Sequence, residues 1–175
     1  MSVGTIVTIV LLMTTLILGL VLVRNIFSGS VENINSIDQA VKNEINKLFA
    51  EDDSRTVIVY PATRTISIRK GDEGGFGFSI RNTGREDGAF SYTVKVAEAS
   101  CGISNTDADN LIILGKSSAE PINIPSGNSL EQPILVKYSI SEGTPICNIR
   151  YNLDIKKGTV QYGSTISVDL KILPQ

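Results

Sequence analysis

The hydrophobic pattern of the chain begins with a long apolar run. Residues 3–23 are apolar apart from threonines and glycines, and no charged residue precedes Arg24. Such a run can cross a membrane as a helix, because about 20 residues at roughly 1.5 Å each span the hydrocarbon layer. A helix that is apolar on all sides must be buried in lipid or in protein. We therefore predict a buried helix at the N-terminus.

Beyond Arg24 the apolar residues continue with helical spacing. They recur every three or four positions with polar residues between them, which is typical of an amphipathic helix with one buried face. The Ser-Gly-Ser stretch at 28–30 is a possible joint, and the acidic run 51–53 ends the pattern. We predict one helical rod over residues 2–50, about 75 Å long. Its second half should pack on the following domain through Val31, Ile34, Ile37, Val41, Ile45 and Leu48.

From Thr56 onward the pattern changes to the two-residue alternation of β-strands. Turns rich in glycine, proline and asparagine separate the strands. About eight short strands with regular turns predict an immunoglobulin-like antiparallel β-sandwich. The glycines of the 74–78 stretch (GGFGF) favour a bulged or edge strand there. The predicted strands are residues 57–60, 64–69, 75–81, 89–97, 111–114, 134–140, 147–155 and 164–173.

The predicted fold class is therefore α+β, with a long N-terminal α-helix followed by an immunoglobulin-like head domain. Two domains are expected. Residues 1–53 form the hydrophobic and then amphipathic helix, which serves as a filament core or transient membrane anchor. Residues 54–175 form the β-sandwich head.

The amino-acid composition argues against several classes of function. The 175 residues carry a net charge of −2 without a basic stripe, so nucleic acid is not an expected partner. The sequence contains no histidine, which excludes imidazole zinc sites, Ser-His-Asp triads and Cys-His dyads. No convergent pair of carboxylates is visible either. We expect no enzyme activity, no catalytic residue and no cofactor.

The only cysteines, Cys101 and Cys147, both lie in the predicted head domain within polar, loop-like surroundings. We predict a disulfide between them, which indicates an oxidising compartment. The loop that it closes is about 45 residues, worth on the order of 4 kcal/mol in the chain-entropy model. Two free, buried thiols are the alternative.

Two acidic stretches carry oxygen atoms that could bind a cation. Asp72 and Glu73 lie between glycines, and residues 105–110 (NTDADN) place side-chain oxygens at alternating positions, as in part of a calcium loop. The second stretch lacks the glycine and the bidentate glutamate of an EF-hand at the required spacing. We predict a solvated hairpin tip at the first stretch, an ordinary polar loop at the second, and no metal site.

The N-terminal 50 residues resemble a type IV pilin-like subunit of the archaeal kind, the group of archaeal adhesion pilins and archaellins. The resemblance is carried by the apolar start 1–7 (MSVGTIV), the run to Val23, the helical continuation to about Phe49 and the β-rich remainder. It implies removal of a leader by a membrane peptidase, a subunit first held in the membrane, and assembly by pilus machinery into a helical filament. Bacterial type IV pilins usually have glutamate at the fifth mature position, where this chain has Thr5.

Pattern and resemblance together predict a structural subunit of an extracellular, pilus-like filament used for adhesion. Its partners would be identical subunits, the membrane before assembly, the leader peptidase and the assembly machinery. An archaellin of a rotating filament, or a single-pass membrane protein that displays the head without polymerising, remain alternatives. The residues predicted to pack between subunits are Val3, Ile6, Val7, Ile9, Val10, Leu11, Leu12, Leu16, Ile17, Leu20 and Val21.

Overall fold

The computed structural model describes residues 4, 5, 7, 10–19, 41, 43–45, 47, 48 and 55–175. The chain divides into two units, Met1–Ala40 and Val41–Gln175. The described residues of the first unit are α-helical. The second unit contains a short helical segment at residues 41–48, defined by its described members 41, 43–45, 47 and 48, followed by the β-rich part of the chain. We call this segment the strap.

The prediction of a long N-terminal helix is wrong. In the part of the chain that the structure describes, the N-terminal helical residues fall within 4–19 and 41–48, and these belong to different units. No long helix is present among them, and the described chain is mostly β-sheet, so the α+β class is corrected. The apolar pattern fixes which faces of a helix are buried. It does not require that two helical stretches are continuous, and serine and glycine, as at 28–30, have lower helix propensity than alanine or leucine.

The described residues 55–175 form ten strands and one short helix, α1. The strands are β1 Val57–Tyr60, β2 Thr65–Arg69, β3 Glu73–Ile80, β4 Gly88–Ala99, β5 Ile112–Leu114, β6 Ile122–Ile124, β7 Ile134–Ser139, β8 Asn148–Lys157, β9 Val160–Gln161 and β10 Ile166–Leu173, with α1 at Asn105–Asn110 between β4 and β5.

The strands form two sheets. One sheet has four strands in the order β1-β3-β7-β5, and the other has the order β2-β10-β8-β4-β6, with β9 paired to β8. All pairings are antiparallel except that of β2 with β10, which is parallel, with Ile66 opposite Leu170. The antiparallel prediction therefore fails at this edge, because the chain leaves β1 in one sheet and joins the other sheet as β2.

Two local predictions are also corrected. The glycine-rich strand β3 is an interior strand between β1 and β7, not an edge strand. Asp72 lies in the connection between β2 and β3, and Glu73 is the first residue of β3. These two strands belong to different sheets, so the connection is not a hairpin tip.

The main core lies between the two sheets and follows the alternation of the strands. On β3 the inward residues Phe76, Phe78 and Ile80 are buried, and the residues between them face outward. They pack in one cluster with inward residues of the other sheet such as Leu153 and Leu170. Alternating strands can bury one face of each sheet in this way, which accounts for the hydrophobic core between the two sheets.

The buried side chain of Asn82 joins its own loop to the ends of β6 and β8. Its Nδ2 donates hydrogen bonds of 2.9 Å to the carbonyl oxygens of Glu86 and Ile124. Its Oδ1 accepts from the Gly84 backbone N–H and from Lys157 Nζ, both at 3.1 Å. A buried amide whose oxygen and nitrogen both have hydrogen-bond partners rigidifies the segments that it connects.

Candidate assembly surface

The described residues of the first unit present apolar side chains on every side. Residues 10–13 and 16–18 are consecutive large apolar residues, and successive side chains on a helix point about 100° apart. The exposed surface is therefore not a single stripe. Soluble proteins rarely leave a contiguous apolar surface of this kind in contact with water. Its members are Val7, Val10, Leu11, Leu12, Met13, Leu16, Ile17 and Leu18, each between 52% and 65% exposed.

The two threonines within this surface satisfy their hydroxyl groups on their own helix. Thr14 Oγ1 donates to the Leu11 carbonyl oxygen at 2.9 Å. Thr15 Oγ1 lies 3.0 Å from the same oxygen and 2.9 Å from the Leu12 carbonyl oxygen. A hydroxyl that is bonded internally can be buried in apolar surroundings without the cost of an unpaired polar group. The segment is thus suited to a dry environment on all sides.

The predicted subunit-packing residues divide into two groups. Six of them are described and exposed, namely Val7, Val10, Leu11, Leu12, Leu16 and Ile17. The others, Val3, Ile6, Ile9, Leu20 and Val21, lie outside the described residues. Packing between subunits stays a prediction. Among the described residues, no helix has the length and apolar character needed to cross a membrane.

The strap packs on the outer face of the four-stranded sheet. Val41 and Ile45 are 6% and 2% exposed, and they form a small cluster with Ile58 of β1. Leu48, Tyr60 and Leu135 pack around this cluster. The structure thus places Val41, Ile45 and Leu48 of the predicted helix-to-head residues against the sheet, whereas Val31, Ile34 and Ile37 lie outside the described residues.

The disulfide between Cys101 and Cys147 is present, with Cα atoms 5.3 Å apart. Cys101 follows β4 and Cys147 directly precedes β8. These two strands also pair side by side in the six-stranded sheet. The disulfide therefore cross-links two strands at one end of their hydrogen-bonded pairing. The two cysteines are 46 residues apart in the sequence.

The acidic stretch 105–110 forms the helix α1 and not the polar loop that we predicted. Ser104 caps the helix, because its Oγ accepts from the Asp107 backbone N–H at 3.1 Å, and its hydroxyl donates to Asp107 Oδ2 at 2.6 Å. Asp109 accepts from the Val96 backbone N–H at 3.2 Å and pairs with Lys116 Nζ at 3.2 Å. The Asp107 carboxylate therefore holds the capping serine, and the Asp109 carboxylate binds a backbone N–H of β4. The part of the chain that the structure describes contains no group of three or more acidic, cysteine or histidine side chains that could hold a metal ion.

No family of known proteins matches the chain, and no curated protein is similar enough to count as a relative. Several solved structures are similar to it in part. A mutant of the SrpA adhesin from Streptococcus sanguinis is 15% identical, with a TM-score of 0.44 and coverage of 71% of this chain and 61% of the adhesin. A family 123 glycoside hydrolase from Clostridium perfringens is 11% identical, with a TM-score of 0.44 and coverage of 63% and 23%.

The complex of the chaperone CsuC with the tip adhesion subunit CsuE of Acinetobacter baumannii Csu pili is 16% identical. Its TM-score is 0.37, and the similarity covers 69% of this chain and 58% of that chain. The chain thus spans less than two thirds of each of these three proteins. These neighbours include an adhesin and a pilus subunit complex, but at these TM-scores they carry no argument about the role of this chain.

Proposed function

We propose that the protein is a structural subunit of an extracellular, pilus-like filament, which polymerises through its apolar N-terminal residues and serves in adhesion. The observation that carries the proposal is the exposure of large apolar side chains on all sides of the helical residues within 7–18. The same chain carries a folded, disulfide-bonded β-sandwich that has its own core. The β-sandwich buries its own core, whereas the apolar helical residues within 7–18 are exposed and have to be covered by other molecules.

Copies of the same chain are the neighbours that fit this surface best. In a helical bundle each subunit is surrounded, so a helix that is apolar all round can be covered on every side. Full burial of a large apolar side chain is worth about 1.5–3 kcal/mol, and these eight side chains are 52–65% exposed, so covering them gives roughly 7–14 kcal/mol gross per subunit before ordering costs. This is enough to hold a polymer together without strong contacts between heads.

The remaining features support a position outside the cell and a structural role. A disulfide that persists indicates an oxidising compartment. The chain has no histidine, the side chain best suited to proton transfer near neutral pH, so we propose that it is not an enzyme. The leader peptidase and assembly machinery implied by the sequence resemblance remain part of this proposal.

The proposal is tested by placing a charge on the apolar surface. We expect Leu12→Lys and Leu16→Lys to abolish filament formation, because each would bury an unpaired ammonium group between subunits. Val160→Lys is the matched control, since Val160 is an exposed apolar residue of the head, 69% exposed. Detergent-free protein is examined by sedimentation and negative-stain electron microscopy, with near-ultraviolet circular dichroism to confirm that the head is folded.

The expected result is that the unaltered chain and the Val160→Lys variant form filaments, whereas the two N-terminal variants remain small with a folded head. Filaments from either Leu12→Lys or Leu16→Lys would contradict the proposal. An unaltered chain that stays a single molecule without detergent would contradict it as well.

A further inference from the structure

The strand β2 forms one edge of the six-stranded sheet, where it pairs with β10 alone. This parallel ladder begins with a 2.9 Å hydrogen bond from the Asp169 N–H to the Arg64 carbonyl oxygen. In a parallel pair, every second residue of a strand directs its N–H and C=O groups to the neighbouring strand. The residues in between, Thr65, Ser67 and Arg69, therefore direct their backbone groups away from the sheet. Among the described residues, no strand lies on that side of β2.

The other edge strands in the described part of the chain are shorter or interrupted. β5, β6 and β9 have three residues or fewer, β6 lies between Pro121 and Pro125, and the register of β5 shifts. β1 has four residues and is followed directly by Pro61. By contrast, β2 has five residues, contains no proline and keeps one register along its whole length. Natural sheets blunt their edges with short strands, prolines and bulges, so an edge without these devices is suited to pairing with another strand.

A groove beside β2 leaves room for a further strand. β1 pairs only with residues 77–80 of β3, so the first residues of β3 have no strand on the same side of the sandwich. Two of them, Gly74 and Gly75, have no side chain to fill the space. The groove has a volume of about 450 Å³ and is lined by residues 66–69, 72–75 and Leu173. The free edge of β2 therefore borders open space and not a covering loop.

We propose that β2 pairs in antiparallel fashion with β2 of a second copy of the chain, about a two-fold axis at Ser67. Ser67 then lies opposite its own counterpart, Ile66 lies opposite Ile68, and Thr65 lies opposite Arg69. The apolar residues meet on the inner face, the polar residues meet on the outer face, and no like charges are opposite each other. The strand is thus complementary to itself, as a contact about a two-fold axis requires.

The turns on either side of β2 limit the contact to the strand itself. Arg64 has a φ of 54°, and its N–H donates to the Pro61 carbonyl oxygen at 2.8 Å, so the chain arrives through a tight turn. After β2, Gly71 has a φ of 87°, and its N–H donates to the Ile140 carbonyl oxygen at 2.7 Å. The chain therefore bends toward the other sheet, and basic residues outside β2 are not brought opposite each other. Because the contact closes on two copies, it does not by itself extend a polymer, and the inference stands apart from the proposed function.

Two substitutions at Ser67 test the pairing. Ser67→Pro removes the N–H that donates to the second copy, and proline is tolerated on an edge strand where the N–H faces away from the sheet. Ser67→Lys places two ammonium groups directly opposite each other, which destabilises a strand pair. Ser167→Lys is the matched control, because Ser167 is an exposed serine of the same sheet but lies on β10, which is paired on both sides.

Association is measured on the full chain in a density-matched detergent, by sedimentation equilibrium at chain concentrations from about 1 μM to about 1 mM. The detergent covers the apolar N-terminal residues, which are identical in all variants. We expect the unaltered chain and Ser167→Lys to form dimers with the same dissociation constant, and we expect both Ser67 variants to raise it about tenfold or more. Hydrogen–deuterium exchange of the unaltered chain should show the Ser67 amide exchanging more slowly as the chain concentration rises.

Three results would overturn the inference. They are an unaltered chain that stays a single molecule in detergent, Ser67 variants that dimerise as tightly as Ser167→Lys, and a Ser67 amide whose exchange does not depend on concentration. The exchange measurement needs no variant, so it decides the matter even if Ser67→Pro fails to fold. Filament formation without detergent enters none of these measurements, so failure here is distinguishable from failure of the proposed function.

Discussion

Two buried tyrosines offer a matched pair of substitutions with opposite expected effects. Tyr138 and Tyr151 are both 0% exposed, and their rings are in contact with centroids 5.0 Å apart. The Tyr151 hydroxyl donates a 2.7 Å hydrogen bond to the Ala108 carbonyl oxygen. Among the described residues, by contrast, no group offers the buried Tyr138 hydroxyl a hydrogen-bond partner. Replacing Tyr138 by phenylalanine therefore removes a buried hydroxyl that has no partner, whereas the same replacement at Tyr151 removes a hydrogen bond.

The magnitudes follow from these contacts. A buried polar group without a partner costs about 1–3 kcal/mol. We expect Tyr138→Phe to stabilise the fold by about 1 kcal/mol, after a fraction is lost to the space left by the oxygen. Tyr151→Phe breaks a bond and leaves the Ala108 carbonyl without its side-chain donor, so we expect a loss of about 1–2 kcal/mol. The two variants should differ by roughly 2–3 kcal/mol.

The assay is urea denaturation of both variants and the unaltered chain, monitored by circular dichroism. The slope of the free energy of unfolding against urea should be the same in all three, so that the midpoints report stability directly. If Tyr138→Phe destabilised the protein as much as Tyr151→Phe, the Tyr138 hydroxyl would have to be satisfied in solution. The reasoning from its missing partner would then be refuted.

Three further predictions concern the stability of the head. Replacing Cys101 and Cys147 together by serine should lower the free energy of unfolding by about 4 kcal/mol for a separation of 46 residues, read from the urea midpoint. Burial raises the pKa of Tyr138, and also of Tyr151 and Tyr92, in the folded state, so stability should be flat below about pH 10 and should fall above it, because the tyrosines ionise first in the unfolded chain. Each buried tyrosine adds up to about 1.4 kcal/mol per pH unit to this slope, and Tyr138→Phe should remove the share of Tyr138. Asn82→Ala should cost about 3 kcal/mol in thermal melts because it leaves several buried groups unpaired, whereas the exposed Asn128→Ala should change little.

The sequence contained enough information to place most strands, because alternation is a local property. Each of the eight predicted ranges overlaps a strand of the structure. The two strands without a predicted counterpart are β6, with three residues, and β9, with two. Neither is long enough to show an alternation of apolar and polar positions. The disulfide was also predictable, since the chain has only two cysteines.

Properties that depend on distant parts of the chain were not predictable. The parallel pairing of β2 with β10 joins segments about a hundred residues apart, and no local pattern encodes the direction of an edge strand. Gly77 was interpreted as a sign of a bulge or an edge. The structure shows instead that Val41 approaches the backbone too closely to leave room for a side chain at Gly77, and close approach is the other common reason for a glycine within a strand. For Asn82, the sequence shows only a turn-like Asn-Thr-Gly, and its distant hydrogen-bond partners lie at the ends of β6 and β8.

The central claim is that identical copies cover the apolar N-terminal surface. Cryo-electron microscopy of the purified, detergent-free chain tests it most directly, because a helical reconstruction would show which residues lie at the filament axis. The account predicts filaments in which residues 10–18 of neighbouring copies pack together at the axis, with the β-sandwich heads outside. A preparation of dispersed single chains, or filaments with the heads at the axis and residues 10–18 facing solvent, would contradict it.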